Sequence, residues 1–316
     1  MTVAPLDLPD VGRGQTRVRT LYSGISAGTE LLAYRGELDP SLPLDETLGA
    51  LQGTFAYPFP YGYSCVGRVE ESDDLPHGAL VFAFHPHQDR FTAPGDELIV
   101  LPEVDARAAT LFPLVETALQ IVLDAGAVQH ETVIVLGMGV VGMLTAVLLQ
   151  RAGARVVGGE PRARRREVAA SIGIDAVDPV ELGGRVASEA DGQGVPLVIE
   201  ASGSPAALAP ALDLLRHEGH VLVASWYGTK DVALPLGGAF HRRRLSIRST
   251  QVSSIPGHLA PRWTLARRRS AVRALLSELP LSTLATHTFP FDDAAAAFAA
   301  LDRGDEDIVH AALAYP

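Results

Sequence analysis

The chain has 316 residues, of which 47% are hydrophobic and 20% charged, and its formal net charge is −11. This length exceeds what one small core accommodates, so two domains are expected, and the composition is typical of a folded globular protein. The acidic balance argues against nucleic acid or an anionic membrane as the main partner, and the single cysteine, Cys65, excludes a disulfide framework and a cysteine-rich zinc lobe.

The N-terminal third predicts a compact all-β unit. Met1–Asp10 is short, acidic and proline-bearing, unlike a secretion signal, and no window is long enough for a membrane span, so we expect a cytoplasmic protein. Alternation of polar and apolar residues predicts a strand over Arg17–Ser23, a loop of small residues over Gly24–Glu30 and one helical turn over Leu31–Arg35. Glycine and proline turns separate the further predicted strands, which are Ser64–Glu71, Ala79–His85 and Glu97–Leu101.

A glycine-rich turn dominates the middle of the chain. The buried strand Thr132–Leu136 is followed by Gly137, Gly139 and Gly142 in G-x-G-x-x-G spacing, and then by a helix to Arg151. A second strand, Arg155–Gly159, ends at Glu160. This order is typical of a dinucleotide-binding βαβ unit, in which the pyrophosphate approaches the glycines and the N–H groups that open the helix, here those of Val140 and Val141. The alternative is a glycine-punctuated strand and helix without a ligand.

The choice between NAD and NADP rests on the residues after the second strand. Glu160 favours NAD, because a carboxylate accepts hydrogen bonds from an adenosine ribose and repels a 2′-phosphate. Arg162 and the arginines that follow it could reach such a phosphate or form a solvated helix face, so NADP stays open.

The rest of the chain alternates strands and helices. Strands are predicted over Val195–Ser202, His220–Ser225 and Leu245–Thr250, with a helix over Pro210–Arg216, which indicates a doubly wound parallel sheet. Ligands in such sheets lie beyond the carboxyl ends of the strands, which predicts cofactor contacts for Gly203, Ser225 and Gln251. Turn capping is the alternative for the last two.

The C-terminal segment contains a predicted basic amphipathic helix, Pro261–Glu278. A basic helix of this kind is compatible with nucleic acid or membrane binding, but the acidic protein favours an exposed helix face or a wall over a carboxylate-bearing substrate. A strand over His287–Phe291, an alanine-rich helix capped by Asp292 and Asp293, and a last strand over Ile308–Ala314 complete the chain.

This sequence resembles the medium-chain dehydrogenase/reductase superfamily of alcohol dehydrogenases and quinone oxidoreductases over nearly its whole length. The resemblance is carried by the loop Gly24–Glu30, by Gly62-Tyr63-Ser64-Cys65-Val66-Gly67 and by the glycine fingerprint. It implies an α/β fold in which a Rossmann doubly wound parallel sheet joins a GroES-like β-rich catalytic domain. The implied domains are 1–105 (GroES-like), 106–251 (Rossmann, cofactor-binding) and 252–316 (a return segment that completes the catalytic domain).

The metal ligands of zinc members of the family are missing. The resemblance places the ligand positions on Ser26 or Ala27, on Tyr63 and on Pro113, and serine, tyrosine and proline do not form an ordinary zinc site. A site built on His85 and His87 with Asp89 or Glu116 is the less favoured alternative. The sequence therefore predicts no metal, so a hydrogen bond or proton donor must polarise the carbonyl.

The candidate catalytic residues lie at or near the positions where zinc members of the family have metal ligands. Tyr63 occupies one of these ligand positions, and its phenol is a candidate acid, with packing of its ring as an equal alternative. Thr29 lies in the loop where family members place a hydroxyl of a proton relay, Ser26 at a vacated ligand position of the same loop is a further candidate, and His85 is a candidate donor to a substrate oxygen. Glu116 and Thr117 resemble the family's contact to the nicotinamide edge, with buried structural pairing as the alternative for Glu116.

Together these features predict a zinc-independent, NAD(P)-dependent oxidoreductase. The loop around Gly28 is most similar to the branch with bacteriochlorophyllide hydroxyethyl dehydrogenases, which implies a secondary alcohol or ketone of a bulky tailoring or secondary-metabolite substrate. The alternatives are a quinone or enone reductase and a non-catalytic nucleotide-sensing protein. The expected partner is a small-molecule substrate, without nucleic acid or membrane, and a homodimer is left open.

Overall fold

A computed structural model describes residues 1–190, 192–305 and 307–316, in two compact units. The first unit contains residues 1–113 and 270–316, and the second contains residues 114–269. Residues 106–113 and 252–269 therefore lie in the other unit from the one that the sequence-based domain limits assign. For the first segment the reason is local packing: Phe112 stacks on Phe82, with 4.4 Å between ring centroids, and Ser64 donates to the Thr110 carbonyl.

Thirteen strands occur among the described residues. In chain order they are β1 (Gln15–Ile25), β2 (Cys65–Ser72), β3 (Leu80–Ala83), β4 (Arg90–Pro94), β5 (Ile99–Val100), β6 (Thr132–Leu136), β7 (Arg155–Gly159), β8 (Asp175–Val177), β9 (Val195–Glu200), β10 (Leu215–Val223), β11 (Ser246–Ser249), β12 (His287–Pro290) and β13 (Ala311–Ala314).

Helices separate many of these strands. They are α1 (Ala27–Arg35), α2 (Ala106–Ala109), α3 (Phe112–Ala125), α4 (Val140–Arg151), α5 (Ala163–Ser171), α6 (Leu182–Glu189), α7 (Pro205–Leu214), α8 (Leu265–Leu275), α9 (Leu281–Leu284) and α10 (Ala294–Arg303). In the described part of the chain, no helix combines the length and the apolar character needed to cross a bilayer.

The first unit is built on a mixed sheet of order β12-β13-β1-β2-β3-β5, with β4 also paired to β1. The last strand, β13, runs antiparallel to β1, so the C-terminal segment completes the sheet that the N-terminus begins, as the sequence predicts. One core lies under α10 and α1 and includes Ile25, Phe298 and Leu313. Another contains Val18, Val81 and Phe91 from the first strands.

The second unit is a six-stranded parallel sheet of order β11-β10-β9-β6-β7-β8. Strands added after β6 extend the sheet first to one side and then, from β9, to the other, so the order switches between β6 and β9. The predicted Rossmann arrangement is confirmed, and its ligand site is expected where β6 and β9 end.

Several predicted elements differ from the structure. The strand β4 and the helices α3 and α6 lie where the sequence suggested none, and the helix predicted over Pro210–Arg216 spans Pro205–Leu214 instead. The basic helix is shorter than predicted, over Leu265–Leu275. Asp293 occupies the predicted N-cap position of α10, but its side chain makes no cap hydrogen bond, and both Asp292 and Asp293 lie in the 3₁₀ turn that precedes the helix.

A deeply buried histidine makes stability depend on pH. His310 is 3% exposed, and burial, aided by the nearby positive charge of Arg107, lowers the pKa of His310 to about 3. The unfolded chain binds a proton at this histidine below about pH 6.5, and the folded chain does so only near pH 3. The neutral His310 therefore makes its full contribution to the free energy of unfolding above pH 6.5. This contribution declines as the pH falls, by up to about 1.4 kcal/mol per pH unit.

Urea unfolding between pH 7.5 and 4.5 measures this contribution. We expect His310→Leu to reduce the dependence of the unfolding free energy on pH in this range, whatever it does to stability at pH 7.5. An unchanged dependence in the variant would show that His310 is not responsible.

Candidate active site

The glycine-rich turn of the second unit has the shape of an anion cradle. Gly137 follows β6 with φ of 92°, and a Cβ there would lie 2.6 Å from the Ser202 Cα. A Cβ on Gly142 would lie 1.9 Å from the Gly137 carbonyl oxygen, so α4 packs directly on the turn. Gly139 caps α4 and faces more open space, where the free N–H groups of Val140 and Val141 begin the helix. The five predicted cofactor residues of the turn are thus brought together.

Glu160 follows β7 and holds the backbone of the glycine-rich turn through hydrogen bonds. Its carboxylate is 3% exposed and accepts the Met138 N–H at 2.9 Å and the Arg162 N–H at 3.0 Å. Each carboxylate oxygen keeps further acceptor capacity, which a ribose hydroxyl could use.

The sequence analysis missed Arg165 as a candidate cofactor residue. Its guanidinium lies 3.9 Å from Glu160 and 4.0 Å from the position of a Cβ on Gly139, and its buried Nε has no hydrogen-bond partner among the described residues. A cation with an unsatisfied donor beside the glycine turn suits an anionic or hydroxyl-bearing ligand. The signal in the sequence is its place shortly after the acid, but three neighbouring arginines obscure it.

The carboxyl edge of the sheet carries the other predicted contacts. Ser225, just after β10, accepts the Gly203 N–H at 2.8 Å, and Ser202 and Tyr227 both donate to the buried Glu200 carboxylate. Gln251 is exposed and caps its own turn at the Ser253 N–H. Ser225 and Gln251 therefore have the turn-capping contacts that were their alternative, and Thr117 lies within α3.

These features fit a nicotinamide dinucleotide. The turn leaves room at Gly139 for a pyrophosphate, whose charge the N-terminus of α4 would attract, and Glu160 and Arg165 lie beside this turn, where they would hold the adenosine ribose. Gly203 and Ser225 follow β9 and β10 next to the switch between β6 and β9, where a nicotinamide would be bound in this kind of sheet.

In the first unit, Tyr63 lies against the start of α1. Its hydroxyl is hydrogen-bonded with the side chains of Ser26 and Thr29. Ser26 occupies the N-cap of α1 but makes no side-chain cap bond, which leaves its hydroxyl for the tyrosine. Burial, with a smaller effect from the Glu30 carboxylate, raises the pKa of Tyr63 to about 12, although the two hydroxyls oppose this. Three of the five predicted catalytic residues thus form one cluster with a protonated phenol.

A buried, hydrogen-bonded pair of side chains, Glu30 and His87, supports this cluster. Glu30 is 1% exposed and accepts the Ser26 N–H at 2.7 Å, and its other oxygen lies 2.8 Å from the His87 Nε2. The His87 ring packs against Gly62, next to Tyr63, so closely that a Cβ there would lie 2.6 Å from it. His87 thereby positions both sides of the cluster, the backbone before Tyr63 and the carboxylate that orients Ser26.

The other two predicted catalytic residues lie elsewhere. The His85 ring stacks on Phe91 with 4.1 Å between centroids, and burial lowers the pKa of His85 to about 4, so it is neutral near pH 7. Within the described ranges, no hydrogen bond links His85 with the Tyr63 cluster. Of the two histidines, His87 rather than the predicted His85 contacts the Tyr63 cluster, through Glu30 and Gly62. Glu116 belongs to the second unit.

Glu116 forms a buried ion pair there. It is 3% exposed, and its carboxylate accepts the Arg268 Nε at 3.1 Å and lies 3.6 Å from Arg269. The Arg268 guanidinium also donates to Gln120 and to the Val252 carbonyl. This is the structural pairing that was the alternative to a catalytic role.

Breaking this pair tests its structural importance. We expect Arg268→Met to lower the free energy of unfolding by about 3–5 kcal/mol, because it leaves a buried carboxylate with one partner fewer. Arg273→Met, at an exposed position of α8, should change it by less than about 0.5 kcal/mol. Urea unfolding of both variants measures the difference, and equal stabilities would refute the assignment.

The residues at the family's metal positions do not fit zinc. Ser26 and Tyr63 present hydroxyls engaged with each other, and Pro113 has no side-chain donor. Nor do the described residues contain a group of three or more histidine, cysteine, aspartate or glutamate side chains placed to hold a metal.

The chain is similar to known dehydrogenases. A family described as zinc-binding dehydrogenase matches residues 140–266, a segment of the second unit that includes none of the zinc-ligand positions. The chain is 29% identical over 163 residues to D-guloside 3-dehydrogenase of Escherichia coli, covering 50% of this chain and 47% of the relative. The chain thus spans about half the length of this relative.

A longer match is to 2-desacetyl-2-hydroxyethyl bacteriochlorophyllide A dehydrogenase of Cereibacter sphaeroides, with 26% identity over 323 residues, 93% of this chain and 88% of the relative. Among solved structures, a dehydrogenase from Sinorhizobium meliloti bound to NADP shares 19% identity and a TM-score of 0.75, covering 99% of this chain and 95% of that one. An alcohol dehydrogenase from Escherichia coli complexed with NADH shares 18% sequence identity with the chain at a TM-score of 0.74. The match covers 98% of this chain and 94% of that one. At these identities the structures show the fold alone. The matched segment, the dehydrogenase relatives and the two units of the fold are all similar to alcohol dehydrogenase-like members of the medium-chain dehydrogenase/reductase superfamily.

Proposed function

We propose that the protein is a nicotinamide-dependent oxidoreductase that interconverts a secondary alcohol and a ketone without a metal ion. The observation that carries the proposal is the protonated Tyr63 phenol, held by Ser26 and Thr29 where zinc members of the family place ligands. A phenol whose pKa is about 12 is a competent hydrogen-bond donor throughout the physiological range.

We assign cofactor binding to the glycine turn, Glu160 and Arg165. Gly139 admits the pyrophosphate and Glu160 accepts from the adenosine ribose, which favours NAD over NADP. When bound, the nicotinamide ring supplies or accepts the hydride of the reaction. The NADH and NADP complexes of structural neighbours support a nicotinamide cofactor in this chain and leave the choice between the two dinucleotides to the Glu160 argument.

Tyr63 supplies the proton. In ketone reduction its phenol donates to the carbonyl oxygen, and the Ser26 and Thr29 hydroxyls then stabilise the phenolate that is left. The buried Glu30 disfavours that phenolate, so the tyrosine returns to its protonated state readily. In alcohol oxidation the same oxygen, as phenolate, accepts the proton.

The names of the relatives support a small-molecule alcohol as substrate. The match to the bacteriochlorophyllide dehydrogenase covers most of both chains and favours a bulky secondary alcohol or ketone, as in tailoring metabolism, over a simple one. We place this reaction in the cytoplasm.

A substrate panel tests the proposal. We expect the protein to consume NADH in the presence of secondary ketones and to consume little NADH with quinones or enones. Consumption with enones alone would instead favour conjugate reduction, and tight NADH binding with no turnover on any panel would favour a nucleotide-sensing role.

A further inference from the structure

An unusual aromatic pattern leads into the candidate acid. From 55 to 63 every second residue is aromatic, namely Phe55, Tyr57, Phe59, Tyr61 and Tyr63, and the residues between are alanine, proline or glycine. In the structure these rings form a connected row. Tyr63 contacts Tyr61 at 6.4 Å between centroids, Tyr61 contacts Phe59 at 5.9 Å, and Phe59 stacks on Tyr57 at 5.1 Å.

The row lies along α1 and is tied to it at both ends. At one end the Tyr63 hydroxyl bonds with Thr29, and at the other the Tyr57 hydroxyl donates to the Ala33 carbonyl. Thr29 and Ala33 are one helical turn apart, a rise of about 6 Å. The outer end of the row is therefore close to the phenol that we assign as the proton donor.

A cavity of about 210 Å³ lies at this outer end, between the row and α1. It is lined by Ala33, Gly36, Leu38, Pro40, Phe55, Tyr57 and Phe59. None of these lining residues is charged, and the one side-chain hydroxyl among them, that of Tyr57, is already bonded to Ala33. A polyol would find few hydrogen-bond partners here, whereas a cavity of roughly 150 Å³ lined by apolar side chains accepts benzene.

Tyr57 is notable because its side chain is large and exposed. It is 63% exposed, yet it is held in place by the stacked Phe59 ring and by its hydrogen bond to α1. A fixed, exposed aromatic face beside an apolar cavity is a surface on which a planar group stacks at small entropic cost.

We propose that this cavity is the subsite for an aromatic ring of the substrate, one helical turn from Tyr63. The inference rests on the proposed function and narrows its substrate class to secondary alcohols and ketones that carry an aryl group a few bonds from the reacting carbon. The sugar-like substrates named for some relatives fit the lining poorly.

Paired substrates test the subsite. The pair 4-phenyl-2-butanone and 2-butanone differs only in the ring, and we expect the wild type to prefer the first in kcat/KM by at least tenfold. Tyr57→Ala should reduce this preference about tenfold. Leu42→Ala, which removes an exposed apolar side chain outside the lining, should leave the preference unchanged. A wild type without preference, or a preference that Tyr57→Ala leaves intact, would overturn the subsite.

A binding measurement keeps this test separate from catalysis. Saturation-transfer NMR on the protein with 4-phenyl-2-butanone needs no turnover. Contact of its phenyl protons with the wild type, weakened in Tyr57→Ala and retained in Leu42→Ala, supports the subsite even if no ketone is reduced, and then only the proposed function fails. Absence of phenyl contact in the wild type overturns the subsite even if small ketones are reduced.

Discussion

Tyr63→Phe is expected to lower kcat for ketone reduction by about 10²–10⁴-fold, the range that a positioned general acid contributes. The variant removes one hydroxyl and keeps the ring that packs against Tyr61. Because the variant leaves every residue assigned to cofactor binding intact, the dissociation constant for NADH should not change. Steady-state kinetics and NADH fluorescence titration measure the two effects.

The pH profile distinguishes an acid from a packing residue. With a pKa of about 12, Tyr63 stays protonated, so wild-type ketone reduction should be flat in pH from 6 to 10 as far as this group is concerned. Alcohol oxidation needs the phenolate, so its rate should rise about tenfold per pH unit over the alkaline part of this range. Tyr63→Phe should abolish that rise.

Tyr34→Phe is the matched control. It removes a hydroxyl from α1 on a ring that packs against Phe298, outside the Tyr63 cluster, and should leave both rates near those of the wild type. Tyr63→Phe with wild-type turnover would assign Tyr63 to packing and would leave the carbonyl without its donor.

Gly139→Ala should weaken NADH binding by at least tenfold, about 1.4 kcal/mol, while the protein folds normally. The backbone at Gly139 is extended, with φ of −76°, which alanine adopts freely, and the new methyl group would come no closer than 4.0 Å to Arg165. It would fill the space in front of α4, however, where the pyrophosphate is expected. Calorimetric titration and thermal unfolding measure affinity and stability.

Alanine variants of two further glycines serve as comparisons for this prediction. Gly183→Ala, inside α6 with no heavy atom within 4 Å of the new Cβ, should leave NADH affinity unchanged. Gly142→Ala places a methyl group 1.9 Å from a carbonyl oxygen and should compromise folding itself. Unaltered NADH affinity in Gly139→Ala would mean that the pyrophosphate does not lie on this turn.

The central parallel strands were predictable, because buried apolar runs bounded by glycine leave few alternatives. Both β6 and β7 have the predicted limits. The sequence analysis assigned no element to α3. Its Pro113 lies in the first helical turn, where a proline lacks only an N–H that needs no partner. The helix α6 contains Gly183 and Gly184, whose low helix propensity is overcome by burial of Leu182 and Val186 one turn apart.

The site was predictable in part. The resemblance put Tyr63, Ser26 and Thr29 in one region, and their mutual hydrogen bonds follow from the N-terminus of α1. The histidines were assigned on the assumption that a strand continues to His85, which would give both rings one face. Because β3 ends at Ala83, the ring of His85 turns to Phe91 and that of His87 to Glu30. Only tertiary structure determines that divergence.

The most direct measurement of the central claim is single-turnover oxidation of NADH by a ketone in protein treated with a strong chelator, with metal content determined on the same sample. The account predicts that the rate equals that of untreated protein at less than 0.1 metal ion per chain, roughly the background of such an assay, and that it collapses in Tyr63→Phe. A rate that is lost with the metal and restored by zinc would contradict it.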